Sequence, residues 1–236
     1  MRPEDVFQDI RDLMVFGSSI SDVTELEGVS TITTDNIYTL EDGMLVEIGN
    51  LVYSVSSILR TGLNEWTFDV TGVNITDVTW QLALYYEFGR ALEVGNTLVE
   101  KKDDPVNKNK RFPLMWLLTD IEKKEIELPG DYEADIVIAF IYLSEANLRA
   151  SKRIDTNFEP ILDPLVALFE TTIRTSPGSR NFLKPYGEII EISKTDKFKY
   201  GSVDGNRHIF NDISDAIELN MNLKFFKAGT ACIYNY

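Results

Sequence analysis

The segment Tyr132 to Leu143 holds an uninterrupted apolar run, Ile136-Val137-Ile138-Ala139-Phe140-Ile141. A strand with one face in water alternates between apolar and polar residues, and this one does not. The run therefore predicts a strand buried on both faces. Phe112-Pro113-Leu114-Met115-Trp116-Leu117-Leu118 is a second dense apolar segment, with proline near its first residue, where a strand tolerates it best. Pairing these two strands is the natural arrangement. A chain of 236 residues can bury one substantial core or two modest ones around them.

Other segments have different periods. Pro3-Glu4-Asp5 opens an amphipathic helix over about residues 3 to 16, with Val6, Phe7, Ile10, Leu13 and Met14 on one face and Gly17-Ser18-Ser19 at its end. From about residue 29 the period falls to two. Ser30 to Thr34, Met44 to Ile48, Leu51 to Val55 and Trp66 to Val70 read as short strands, with Gly49-Asn50 as a two-residue hairpin turn and Glu41-Asp42-Gly43 as another. Residues 29 to 73 form a small antiparallel β module on this reading. Thr76-Asp77 can cap a second helix carrying Val78, Leu82, Tyr85, Tyr86, Phe88, Gly89 and Leu92. Lys101 to Arg111 is polar, broken by Pro105, and predicts a loop with the strongest basic cluster in the chain.

A third amphipathic helix follows, with Phe158, Ile161, Leu162, Leu165, Val166, Leu168, Phe169, Thr172 and Ile173. Pro160 and Pro164 in its first turns predict a local kink, and Pro177-Gly178 closes it. The end of the chain is rich in strands. Gly187 to Ile192 alternates weakly, Asn211 to Ala216 reads as a turn-like link, and Ile217 to Phe225 alternates strictly, predicting a half-exposed strand. The elements show no βαβ alternation and no internal repeat, so the fold class is α+β.

The functional groups point away from catalysis. His208, the single histidine, has no catalytic motif around it and reads as a loop or strand-start residue making one hydrogen bond, and Cys232, the single cysteine and five residues from the end, is a poor partner for it and allows no internal disulfide or multi-cysteine metal site. Gly201-Ser202-Val203-Asp204-Gly205 lacks the Lys-Ser/Thr ending of a phosphate loop and reads as a turn. Asp131, Glu133 and Asp135 would share one strand face, and Asn211, Asp212, Asp215 and Glu218 form a second acidic cluster. Without calcium-loop spacing these read as a solvated rim and as turn and capping residues. Lys194 to Tyr200 interleaves lysines with aromatics and reads as a charged strand edge. No catalytic residue, cofactor or metal is expected. A formal charge of −15 argues against gripping a phosphate backbone, although an acidic wall suits a passage along which DNA slides. No segment is apolar enough to span a membrane, and the single cysteine fits a reducing compartment.

Three segments, in order, resemble the tail-terminator or tail-completion family of tailed bacteriophages, in the divergent form of phages of Bacteroides-type hosts and the crAss-like group. The first is Phe88 to Leu98 with the loop leading into Phe112-Pro113-Leu114-Met115-Trp116-Leu117. The second is Ile138 to Leu143 followed by Arg153 and Phe158-Glu159-Pro160-Ile161-Leu162-Asp163-Pro164, similar to the family's Phe-x-Pro-Ile-Leu-Tyr-Pro helix start. The third is Ile209 to Leu219, similar to its closing Asn-Asp-x-x-Asp-Ala-Ile-Glu stretch. Asp163 departs from the family's aromatic, and Phe88-Gly89-Arg90-Ala91 lacks its usual His-Pro.

The resemblance implies an antiparallel or mixed sheet flanked by helices, built from residues 1–20 and 76–228. The module at 29–73 would be an insertion and 229–236 a tail. It also implies a virion protein, assembled in the host cytoplasm, that forms a ring of roughly six or twelve copies at the head-to-tail junction. Portal and other neck or tail proteins would be its partners, and DNA would pass through the lumen without specific binding. Lys108, Lys110 and Arg111 in the basic loop, and Glu218, Asn220, Asn222 and Lys224 on the final strand, are the candidate subunit contacts. A carboxylate- and metal-dependent hydrolase and an adaptor for one cellular protein are the alternatives.

Overall fold

A computed structural model describes residues 3–14, 17–35, 40, 42–62, 65–72, 74–104, 107, 110–118, 122–125, 132–145, 147–175, 189–198, 202–203, 207–208 and 212–225. It divides into two compact units, Met1–Met14 with Tyr85–Tyr236, and Val15–Leu84. The architecture is mixed α+β, mostly strands with a few helices. Among the described residues no helix is long and apolar enough to cross a membrane.

The Val15–Leu84 unit is a closed six-stranded antiparallel barrel. Its strands are β1 (Gly17–Leu26), β2 (Val29–Thr34), β3 (Leu45–Ile48), β4 (Leu51–Arg60), β5 (Trp66–Thr71) and β6 (Thr79–Leu82), in the order β1-β2-β5-β4-β3-β6 with β6 returning to β1. Alternation fills the interior with Ile32, Val46, Ile48, Val55, Phe68, Val70, Trp80 and Leu82, all buried. The Phe68 and Trp80 rings meet edge to face at 5.5 Å. The Trp80 Nε1–H donates 3.0 Å to the Thr34 hydroxyl, which donates 2.8 Å to Ser19 O, so a buried indole and a buried hydroxyl satisfy each other across the barrel. Gly49-Asn50 makes the expected two-residue turn, with Gly49 at φ 61°.

Two expectations fail here. Residues 76–90 are not a helix, and of the expected stripe only Leu92 falls in one: Thr79–Leu82 is β6, and Tyr85–Gly89 is strand β7 of the other unit. Val78, Leu82, Tyr85 and Tyr86 fit a helical stripe, but Thr79-Trp80-Gln81-Leu82 also alternates, with Trp80 and Leu82 inside. Closing the open edges of β1 and β3 decides between the two. Gly17-Ser18-Ser19 likewise starts β1 instead of merely ending a helix. The barrel is thus wider than residues 29 to 73 on both sides.

The other unit is built on a mixed sheet. Its strands are β7, β8 (Leu114–Leu118), β9 (Glu122–Glu125), β10 (Tyr132–Leu143), β11 (Ile189–Phe198) and β14 (Ser214–Phe225), in the order β11-β14-β10-β8-β7, with β9 beside β10. The short strands β12 (Ser202–Val203) and β13 (Arg207–His208) pair separately. As expected, β8 pairs antiparallel with β10, which is central. One face, carrying Ile136, Ile138 and Phe140 with Ile217, Leu219 and Met221, meets the helices. Phe169 lies 5.4 Å from Phe140 and 6.3 Å from Phe7, joining α4 (Asp163–Thr175) and α1 (Pro3–Leu13) to the sheet. On the opposite face α2 (Ala91–Asp103) packs Val94 and Leu98 against Leu114, Trp116, Ala139, Ile141 and Ala216.

β7, α2 and β8 form one βαβ unit with parallel pairing of its strands, which the sequence reading excluded because it took β7 for helix. Residues 101–103 finish α2 instead of opening a loop. β14 alternates between buried and half-buried residues over Ile217–Leu223, as expected, and it is an interior strand, paired with β10 on one side and β11 on the other. The link Asn211 to Ala216 is in part strand, since β14 begins at Ser214. Between α3 (Ala150–Arg153) and α4 the kink becomes a π-helix, Ile154–Leu162, containing Pro160. Proline has no N–H to give and its ring crowds the carbonyl four residues back, so a wider turn suits it. The Asp163 N–H reaches back five residues to Phe158 O.

Barrel closure gives a direct test. A Cβ at Gly17 would stand 1.7 Å from Trp80 O and 2.5 Å from Gln81 Cα. Gly17→Ala should destabilise the barrel by about 1–3 kcal/mol. Amide exchange should rise in β1 and β6 while the β2–β5 ladder keeps its protection, and unchanged exchange in β1 and β6 would contradict this.

Candidate functional site

The strongest concentration of buried polar chemistry lies where β10 ends, β14 begins and α3 meets the π-helix. Arg153 and Asp215 are both fully buried. Arg153 Nη1 donates 2.6 Å to Asp215 Oδ1 and 2.6 Å to Ser144 Oγ, Nη2 donates 2.7 Å to Glu145 O, and Nε donates 3.2 Å to Leu148 O. Asn157 Nδ2 donates 2.6 Å to Asp215 Oδ2 and 3.0 Å to Ser144 Oγ. The Ser144 N–H donates 2.8 Å to Ile213 O, tying the two strand ends together. The rigid fork of the guanidinium suits this set of acceptors, and Asn157 covers the second carboxylate oxygen.

A second cluster is centred on Asp212. Lys102, near the end of α2, bridges to Asp212 Oδ1, and Arg111 Nη1 lies 2.6 Å from Oδ2. Burial pushes this carboxyl up, but the hydrogen bonds and charges of Lys102 and Arg111 outweigh it and hold it below the usual carboxylate range. Lys101 bridges to Glu87 at 2.5 Å.

A third feature is the part of the sheet face beyond α2. Glu218, Asn220 and Asn222 follow Ser214 and Ala216 at alternate positions on β14, opposite Ala139, Val137 and Asp135 of β10. All three are half-buried. Asn222 Nδ2 donates 2.9 Å to Asp135 Oδ1. Glu218 is raised from its ordinary value, chiefly by burial and in part offset by a hydrogen bond from Ser193 on β11.

The structure thus separates the residues singled out from sequence. Glu218, Asn220 and Asn222 share one face, and Lys224 takes the next position of the same register, opposite Glu133. Arg111 is buried and bound within its own subunit, so it is not a surface contact. Lys110 is half-buried, its N–H bonded to Asn107 O. Lys108, Asp131 and Cys232 lie outside the described residues, as does the side chain of His208, whose backbone pairs with Ser202. Among the described residues no group of three or more His, Cys, Asp and Glu is placed to hold a metal ion. The role of Arg153 and Asp215 escaped the sequence reading. A signal was present in Asp215 at the mouth of an otherwise apolar alternation, a position where a carboxylate requires a buried partner. Compared with known proteins, the chain matches no family model and no curated sequence.

Removing one partner of the buried pair leaves an uncompensated charge. Arg153→Met or Asp215→Leu alone should cost about 3–5 kcal/mol, and the double replacement less than the sum of the two. Additive losses in denaturant titrations would show that the pair is not coupled. For Glu218, a folded-state value above the unfolded one means that its stability contribution is complete below the carboxylate range and lost as pH rises through the raised value. Glu218→Gln should therefore melt higher than wild type at neutral pH and equal to it in acid. A lower melting point at neutral pH would reverse that sign.

Proposed function

We propose that the chain is a structural subunit of a ring at the head-to-tail junction of a tailed bacteriophage, a neck or tail-terminator-like component that joins portal to tail. On this reading the mixed sheet with its flanking helices is the terminator-like domain, and the acidic barrel is an insertion. The observation that carries the reading is the placement of the polar residues in the three resembling segments. Arg153 and Asp215, from the second and third, meet in one buried network. Asp212, from the third, binds Arg111 in the connection that belongs to the first. Trp116 of the first donates 3.0 Å to Gly89 O of the same segment. The shared pattern is therefore a framework pattern, which fits a family whose members keep a shape and a set of contact surfaces.

Two further features support the reading. The chain's net charge of −15 suits a lumen wall that repels DNA and lets it slide. The Glu218, Asn220 and Asn222 row offers donors and acceptors to a neighbouring subunit without any nucleophile among them. Purified chain should form closed rings of uniform diameter in negative-stain micrographs, with a light-scattering mass that is an integral multiple of the subunit. A monodisperse monomer at every concentration would count against it.

A further inference from the structure

The segment that leads into β14 touches both helical layers of the sheet-and-helix unit. Asp212 and Asp215 stand three residues apart, an odd spacing that sends two side chains to opposite faces of an extended chain. Their partners divide in the same way. On one face Asp212 binds Lys102 in the last turn of α2 and Arg111 in the connection to β8. The Arg111 guanidinium lies over the Phe112 ring, which belongs to the core packed under α2. On the other face Asp215 binds Arg153 of α3 and Asn157 of the π-helix.

The span between the two carboxylates is held along both of its edges. Ile213 O accepts the Ser144 N–H at 2.8 Å, and Ser214 is paired with Leu143 of β10 on one side and with Phe198 of β11 on the other. Planar peptide units leave so short a segment few free dihedrals, so a displacement of one carboxylate is passed to the other. Each end is a charged cluster of low exposure, and breaking it leaves charges short of partners. The two ends differ in one respect. Arg153 and Asp215 are wholly buried, whereas the Lys102 side chain is 45% exposed. Lys101, one residue earlier on α2, bridges instead to Glu87 on β7.

We propose that Asp212 to Asp215 is a strap through the sheet that couples α2 to α3 and the π-helix, so that a loss of hold at Asp212 loosens the Arg153 network on the opposite face. The coupling runs through one stiff element that both clusters grip, which is the physical form coupling takes between packed layers. Asp212 is then a positioning residue for Asp215. Lys102 is the accessible end of the strap, and any contact that draws its ammonium away from Asp212 is felt at the buried pair. The strap lies within one subunit, and it holds whether or not subunits close into a ring.

The test compares Lys102→Met with Lys101→Met in the full chain, each alone and combined with Asn157→Ala. In the folded protein Lys102→Met should raise amide exchange beside residue 102 and also, at least about threefold, at the Ser144 and Arg153 amides on the far side of the strap. Lys101→Met should leave those two amides unchanged. In denaturant titrations the unfolding constant of Lys102→Met/Asn157→Ala should depart from the product of the single effects by at least about threefold, while Lys101→Met/Asn157→Ala follows the product. If Asn157→Ala does not fold, the exchange of the two lysine variants decides alone. Faster exchange confined to α2 and residues 110–112 after Lys102→Met would overturn the strap. An equal reach for Lys101→Met would overturn it too, because the effect would then come from α2 as a whole.

Discussion

The fully buried Arg153–Asp215 pair fixes the geometry of the sheet-and-helix unit. Removing two charges from water costs several kcal/mol each, and the attraction between them offsets this only with good geometry and with the remaining donors satisfied. Here four of the five guanidinium N–H groups have named acceptors, and both carboxylate oxygens have named donors. Those acceptors come from the connection that follows β10, from Ser144 to Leu148, and from the first residues of β14. A shift of α3 by one residue would leave both charges buried and unpaired. The pair therefore sets the register in which the helical layer sits on the sheet, a specification that apolar packing alone defines less sharply.

The π-helix follows from the same constraint. Arg153 must face the sheet at the end of α3, while Phe158, Ile161 and Leu162 must face the core shortly after, and all three are buried. Pro160 cannot supply a helical N–H, so the chain widens its turn over Ile154–Leu162 before α4 resumes regular winding. Pro164 follows one residue into α4, which continues directly from the wide turn, so two prolines four residues apart bracket the return to regular winding. The sequence pattern showed that something had to yield there, but not that the yield would be a π-helix.

What could be read in advance was whatever is set by local period and strong burial. Tyr132–Leu143 is a strand over the expected residues, Gly49-Asn50 is a hairpin turn, and α1 and α4 carry their apolar stripes inward. The failures come from closure. β1 is Ser-rich and largely exposed, so no alternation reveals it; it is a strand because β2 and β6 hold both its edges. β6 and β7 have spacings that a helix and a strand satisfy equally well, and only the neighbouring strands decide. Arg111 looked like part of a solvated loop because its partner, Asp212, lies 101 residues away. The polar row on β14 was legible as alternation, but its neighbours, β10 and β11, were not.

The sheet face under α2 shows how one strand can carry two patterns. In β10, Ala139 and Ile141 on that face are buried under Val94 and Leu98 of α2, whereas Asp135 on the same face is exposed. In β14 the change falls between buried Ala216 and half-buried Glu218, directly across from Ala139. A thirteen-residue helix is about 20 Å long, shorter than the roughly 40 Å of a twelve-residue strand, so α2 cannot cover the whole face. Where its cover stops, the strands revert to period two and polar residues return. The continuous apolar run in β10 and the strict alternation of β14 are thus two records of one boundary, the edge of α2. The residues just beyond that edge, Glu218 above all, are polar and yet still partly desolvated. A face of that kind can accept a further layer by hydrogen bonding, because its donors and acceptors are already fixed by the sheet.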